Sequence, residues 1–332
     1  MKFLLIILLI AVVFCADADY LPTPGGVYVH KDCVHNVPSG SKIETKDSGI
    51  TFVTLPKDNK VIQIPKCEHP TRKVQKQSPL NNVGGYWYGW QLWTTFKNPS
   101  GETFDAFTGT MSVPQNPASF WGGIVYLFPG LQNYDWIPTE DGPNPPSGFD
   151  IIQPVLQYGS TPAGGGDYWA LASWYVTVDS GYIVSDLIRV NAMDVIQCNM
   201  TYVDKSNDEW FINGYVQESD QTNIHVSKAR LNTQPWAYLA LEMYNIDGCD
   251  NYPTSDVIFT QNVLKAQGKT ITPAWEAHTQ YKNPQCNEKV MNSDELYEQL
   301  LSIDKEIKQT EKRLEEETKD LERREIEWKQ KS

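Results

Sequence analysis

From Gly84 to about Asn262 the chain consists of short runs of β-branched and aromatic residues broken by clusters of Gly, Pro, Asn and Asp, with no helical period between them. Runs of that length at that spacing predict an all-β protein, an antiparallel double-sheet sandwich. The candidate strands are Tyr86 to Phe96, Phe107 to Val113, Gly122 to Phe128, Ile151 to Tyr158, Tyr168 to Val178, Asp194 to Val203, Trp210 to Val216 and Trp236 to Tyr244. The Pro-rich stretch from Pro129 to Gly148 reads as a long loop, of a kind that is ordinarily functional or disordered.

The segments flanking this region have different compositions. Met1-Lys2, the apolar run Phe3 to Phe14 and the small-residue stretch Ala16-Asp17-Ala18 predict a secretory signal peptide over residues 1–18, too short to span a bilayer comfortably. Residues 19–80 form a small β-rich leader with runs at Ile50 to Leu55 and Lys60 to Ile64. It ends in the basic, aperiodic stretch Pro70 to Pro79, a linker and a candidate processing site. Residues 81–290 are assigned to the sandwich, and residues 291–332 to a charged amphipathic helix. That helix lacks Pro and Gly from Ser293 onward and spaces Leu296, Leu300, Ile303, Ile307, Leu314, Leu321 and Trp328 by threes and fours. Thr310, Glu317 and Arg324 interrupt its coiled-coil seam, leaving two readings: a solvated helix of its own domain, or weak self-association.

A formal charge of -13 gives no basic footprint, so nucleic acid is not an expected partner, and no later stretch is apolar enough to span a membrane. The expected location is secreted, extracellular or endolysosomal. In such a compartment the cysteines left after signal removal predict the bridges Cys33 with Cys67 and Cys249 with Cys286, and Cys198 as a buried thiol. A zinc cluster of His30, Cys33, His35, Cys67 and His69 is the alternative. The disulfide reading is preferred because oxidised cysteines supply no thiolates, and no metal is then expected. The alternation of Ile196, Cys198, Met200 and Tyr202 turns that set inward and leaves the sequon at Asn199 outward as a candidate glycosylation site.

Chemistry concentrates in two runs. In Trp236 to Tyr244 one face holds Trp236, Tyr238, Ala240, Glu242 and Tyr244, which predicts a solvent-facing aromatic groove with a carboxylate in it. Gln157 occupies the corresponding alternate face of Ile151 to Gly159, and the two converge if their strands share a sheet. A carboxylate can take a proton from water while an amide N–H steadies an oxyanion. Plain structural polarity, or a sugar-binding groove, uses the same residues. Gly164-Gly165-Gly166 precedes a strand and reads as a turn, no phosphate loop or serine-nucleophile turn occurs, and no cofactor is expected.

Taken in order, several motifs resemble those of the glutamic peptidases, the eqolisin family of secreted fungal enzymes. They are Phe107-Thr108-Gly109-Thr110-Met111-Ser112-Val113-Pro114, Trp121-Gly122-Gly123-Ile124, Leu156-Gln157-Tyr158-Gly159, the aromatic stretch Tyr168 to Tyr175, and Trp236 through Glu242. The resemblance spans about residues 104 to 262. It implies a concanavalin A-like sandwich, a polypeptide substrate, acidic working pH and a precursor form. It also implies Gln157 and Glu242 as the catalytic pair, with Trp121, Trp236, Tyr238 and Tyr244 as substrate-binding residues. Val125 stands where the family carries Asp and Ser173 where it carries Glu, and the loop before Gln157 is longer. The competing expectation is a non-catalytic lectin-like protein that binds glycan on Trp236, Tyr238 and Tyr244.

Overall fold

The computed structural model describes residues 19–73, 87–120, 122–139, 142–178, 181–206, 208–228, 233–246, 248–280, 286, 288–291, 305–319, 321 and 323. The segment read as a signal peptide, most of the predicted linker and Trp121 lie outside the described residues. In the leader, β1 spans Tyr20–Thr23, β2 Val27–His30, β3 Val34–Val37, β4 Ser41–Thr45, β5 Thr51–Thr54, β6 Val61–Ile64 and β7 Arg72–Lys73. The next strands are β8 Trp87–Lys97, β9 Ala106–Ser112, β10 Ile124–Gln132, β11 Asp150–Thr161, β12 Gly164–Thr177, β13 Gly181–Ser185 and β14 Ile188–Arg189. The last are β15 Val195–Asp204, β16 Glu209–Tyr215, β17 Gln221–Lys228, β18 Trp236–Ile246, β19 Phe259–Ala266, β20 Lys269–Ile271 and β21 Glu276–Thr279.

These strands build the expected sandwich. One sheet runs β21-β8-β18-β10-β11-β12-β13-β3, with β14 beside β12; the other runs β20-β19-β9-β15-β16-β17-β4-β5-β6. The leader contributes to both, β3 pairing parallel with β13 and β4 parallel with β17. A third, small sheet, β1-β2-β7, belongs to the leader alone.

Between the large sheets lies an aliphatic core that includes Val125, Leu127, Leu156, Leu171, Met243 and, from the opposite sheet, Met111, Ile196 and Cys198. It continues through Leu131, Ile152, Met200, Trp210, Ile212 and Ile224. Strand alternation explains both contributions, since every second residue of a strand points the same way. A further apolar cluster occupies the other face of the first sheet, where Tyr126, Phe128, Trp90, Trp174, Tyr238 and Tyr244 meet Val27 and Val29 of the leader.

The predicted loop after Phe128 begins later than expected, because β10 continues through Pro129 to Gln132. Proline is tolerated there because the β10–β11 pairing lapses between Leu127↔Leu156 and Leu131↔Ile152, where Pro129 has no N–H to give. The β18 side of β10 stays paired throughout, through Pro129↔Leu239.

Residues from Lys289 onward form a separate compact unit. Its described part is helical over 305–319, with Ile307 and Leu314 exposed. Leu321 is exposed as well, and the remaining apolar positions of the stripe, Leu296, Leu300, Ile303 and Trp328, fall outside the described residues.

Candidate active site

The three strands β18, β10 and β11 are neighbours, and their register lines up three polar side chains. Tyr126 of β10 stands opposite Glu242 of β18 on one side and opposite Gln157 of β11 on the other. Directly opposed residues in a ladder share a face, so Glu242, Tyr126 and Gln157 form a row on the outer face of the first sheet. The outer two are two strand spacings apart, about 10 Å between backbones. The sequence-derived pair thus shares one sheet and one face, with a tyrosine between them that sequence reasoning missed.

The solvent-facing groove expected for this face is not found: Glu242, Gln157, Tyr126, Tyr238 and Tyr244 are all completely buried. The leader supplies the cover. β1 and β2 form a hairpin, and its connecting residues Pro24-Gly25-Gly26 reach down onto the carboxylate. Gly25 N–H donates to Glu242 Oε2 at 2.9 Å. Tyr244 Oη–H donates to Glu242 Oε1, and Tyr126 Oη–H donates to Pro22 O at 3.1 Å. The Tyr28 ring meets Tyr244 edge-on at 5.8 Å.

Glycine is required in this turn. Gly25 and Gly26 have φ of +96° and +88°, and a Cβ on Gly26 would lie 1.8 Å from Pro138 Cβ. Only a residue without a side chain adopts that conformation and lets the backbone come so close. The turn aims the Gly25 N–H at the Glu242 carboxyl, while the Gly26 N–H closes the turn by donating to Thr23 O at 3.3 Å.

Burial raises the Glu242 pKa from 4.5 to about 8, since the charged form loses its water. Hydrogen bonds from Tyr244 and then Gly25 act against that rise, with smaller pulls from the Gly26 N–H and the Trp90 indole. Under its cover Glu242 is therefore protonated at acidic pH and cannot serve there as a base. Gln157 is also engaged: Nε2 donates to Thr161 Oγ1 at 2.9 Å and to Gly164 O at 3.0 Å. Its buried Oε1 has no partner among the described residues, nor does either amide atom of neighbouring Gln153.

The aromatic platform predicted from Trp236, Tyr238 and Tyr244 is likewise covered. Tyr238 packs edge-on against Trp90 at 5.1 Å, and only Trp236 is partly exposed, with the Lys97 ammonium 5.1 Å from its ring. Val125 faces the aliphatic core between the sheets, and Ser173 points the same way, donating to Thr222 O at 2.9 Å. Both departures from the family pattern thus lie behind the sheet, not on the Glu242 face.

Cys33–Cys67 and Cys249–Cys286 are disulfide-bonded. Cys198 is a buried free thiol whose pKa burial pushes far up. Asn199 is half-buried, and its side chain accepts from Thr201 Oγ1. Alternation within Ile124 to Phe128 would have flagged Tyr126, and the Pro24-Gly25-Gly26 triplet would have flagged a tight turn. No sequence signal told where that turn docks.

No protein-family model and no curated protein sequence matches the chain. Among solved structures it is similar to scytalido-glutamic peptidase bound to a transition state analog inhibitor, with 14% identity over 62% of this chain and 90% of that one and a TM-score of 0.37. It is similar at the same identity and coverage, with a TM-score of 0.35, to SCP-B, a member of the eqolisin family of peptidases, in complex with the tripeptide Ala-Ile-His. The CBM2 module of the evolved Dit of Lactobacillus casei BL23 phage J-1 is similar at 12% identity over 58% of this chain and 81% of that one, with a TM-score of 0.31. Likeness at this level carries no residue's role across, and the chemistry of the site rests on its own geometry.

Proposed function

We propose that the chain is a secreted glutamic-type endopeptidase held latent by its own leader. One observation carries this reading: a polypeptide hairpin already occupies the face that bears Glu242 and Gln157, with its backbone hydrogen-bonded to the carboxylate. A surface that seats one peptide strand pair, and reads its main chain, suits a polypeptide substrate.

The leader inactivates twice over. It fills the space a substrate needs, and by excluding water it keeps Glu242 protonated. Once the hairpin is displaced, the carboxyl is rehydrated and its pKa falls back toward the ordinary range, so that it ionises in acid. Glu242 then takes a proton from water as the water oxygen bonds to the scissile carbonyl carbon. Gln157, turned from Thr161, and Tyr126 donate to the resulting oxyanion. The proton held by Glu242 passes to the leaving amine as the C–N bond breaks.

The linker after β7 carries Lys76, and Arg72 and Lys73 precede it, so a trypsin-like cut there would loosen the hairpin sheet. The test is digestion of an unfolded protein substrate at acidic pH by leader-cut wild type, uncut wild type and leader-cut Glu242→Gln. Cleavage by the first alone is expected, with a loss of at least about 100-fold in the variant. Equal cleavage by Glu242→Gln rejects Glu242 as the base. Inactivity of all three preparations, together with a signal on a glycan array, replaces the peptidase with a lectin.

A further inference from the structure

The Cys33–Cys67 bridge does more than close the leader. It brings His69, two residues beyond Cys67, against His30, three residues before Cys33. The two imidazoles stack with centroids 3.7 Å apart and planes within 11°. Asp32, in the short 3₁₀ turn Lys31–Cys33, places Oδ2 3.6 Å from His30 Nδ1. One donor atom from each of His30, Asp32 and His69 lies within 4.8 Å of the other two. Ligands of a tetrahedral zinc ion, bound at about 2.0–2.2 Å, stand roughly 3.3 Å from one another.

We propose that His30, Asp32 and His69 form a zinc-binding site, with water completing the tetrahedron. Two imidazoles and one carboxylate suit zinc among divalent ions; calcium and magnesium require an all-oxygen set. The cysteines take no part, because both are spent in the bridge. His30 Nδ1 accepts the Asp32 backbone N–H at 3.3 Å, a long bond that a metal can displace. His69 is exposed, so its ring has room to turn out of the stack toward a metal. The neighbouring cation, Lys31, is held by Asp19 at 2.7 Å and so is drawn off from the ligands.

The consequence is structural. His30 ends β2, the inner strand of the hairpin that covers Glu242, and His69 lies just before β7, its partner strand. A bound ion ties these segments together beside the disulfide and makes the cover harder to lift. The site itself depends only on the leader's geometry and stands whether or not the protein is a peptidase.

The test is calorimetric titration of full-length, untagged, disulfide-intact protein with zinc, paralleled by the visible spectrum of bound cobalt. One equivalent is expected, with the intense visible bands of four-coordinate cobalt. Affinity should fall at least about 100-fold in His69→Ala and in His30→Ala, and about 10-fold in Asp32→Asn. Hydrogen exchange at Val27 and Val29 should slow with zinc in wild type and not in His69→Ala. Binding undiminished in both histidine variants, or none at millimolar zinc in the wild type, overturns the site. His69→Ala keeps the test sound even where His30→Ala fails to fold, because His69 is exposed.

Discussion

The two faces of the sheet that carries β10, β11 and β18 are built from different chemistry. Its inner face packs Val125, Leu127, Leu156, Leu171 and Met243 against the opposite sheet, and its polar group Ser173 is hydrogen-bonded across to Thr222. Along β10, β11 and β18 its outer face is equally buried yet holds a carboxylate, three glutamines, Gln132, Gln153 and Gln157, and three tyrosine hydroxyls, Tyr126, Tyr238 and Tyr244. Several polar atoms there, including Gln157 Oε1 and both amide atoms of Gln153, have no partner among the described residues. A buried polar group without a hydrogen bond destabilises the fold, so a face selected for stability alone would not be furnished this way. The contrast separates a permanent core from a surface under a cover.

The largest effect should come from the inner face. Leu127→Ala removes a fully buried side chain and should destabilise global unfolding by about 2–5 kcal/mol in denaturant melts. The outer face should instead show itself through pH. Because the folded Glu242 pKa of about 8 lies above the ordinary 4.5, folding takes up a proton. That stability is complete below 4.5 and is lost as pH rises to about 8, with a slope of at most about 1.4 kcal/mol per unit. Glu242→Gln should flatten this dependence; an unchanged profile would show that the carboxyl does not titrate under the hairpin.

A smaller and more local effect is expected of Gly26→Ala, where left-handed backbone strain of about 1–3 kcal/mol adds to collision with Pro138. Exchange at Val27 and Val29 should accelerate while the inter-sheet amides stay protected. If both accelerate together, the cover and the core are a single cooperative unit and the contrast between the faces fails. Smallest of all, Gln153→Leu replaces two unpartnered amide atoms with hydrocarbon and should change stability by no more than about 1 kcal/mol, toward stabilisation.

The sequence carried the sandwich well because burial on one side of a strand imposes a period of two, and Trp236 to Tyr244 or Ile151 to Tyr158 display it openly. Ile196, Cys198 and Met200 turn inward by the same rule. Strands such as β17, Gln221–Lys228, escaped notice: Thr222, Ile224 and Val226 alternate with Asn223, His225 and Ser227, but mostly polar residues make the run read as loop. The shared face of Gln157 and Glu242 depended on both strands flanking β10, which no local pattern reveals. The groove was misread for a related reason. Alternation distinguishes two faces of a strand but does not say that the second will be covered by residues more than two hundred positions away, as Gly25 covers Glu242.

The parallel pairings of β3 with β13 and β4 with β17 set a limit on how far the N-terminal segment can be trimmed. Lifting the hairpin would uncover the Glu242 face, but stripping residues 19–73 entirely would leave β13 and β17 as raw sheet margins, each with a row of unanswered amides and carbonyls. Such margins recruit strands from other molecules. A product beginning at the aromatic strand β8 would therefore be expected to polymerise, whereas one that keeps residues 34–64 would stay dispersed.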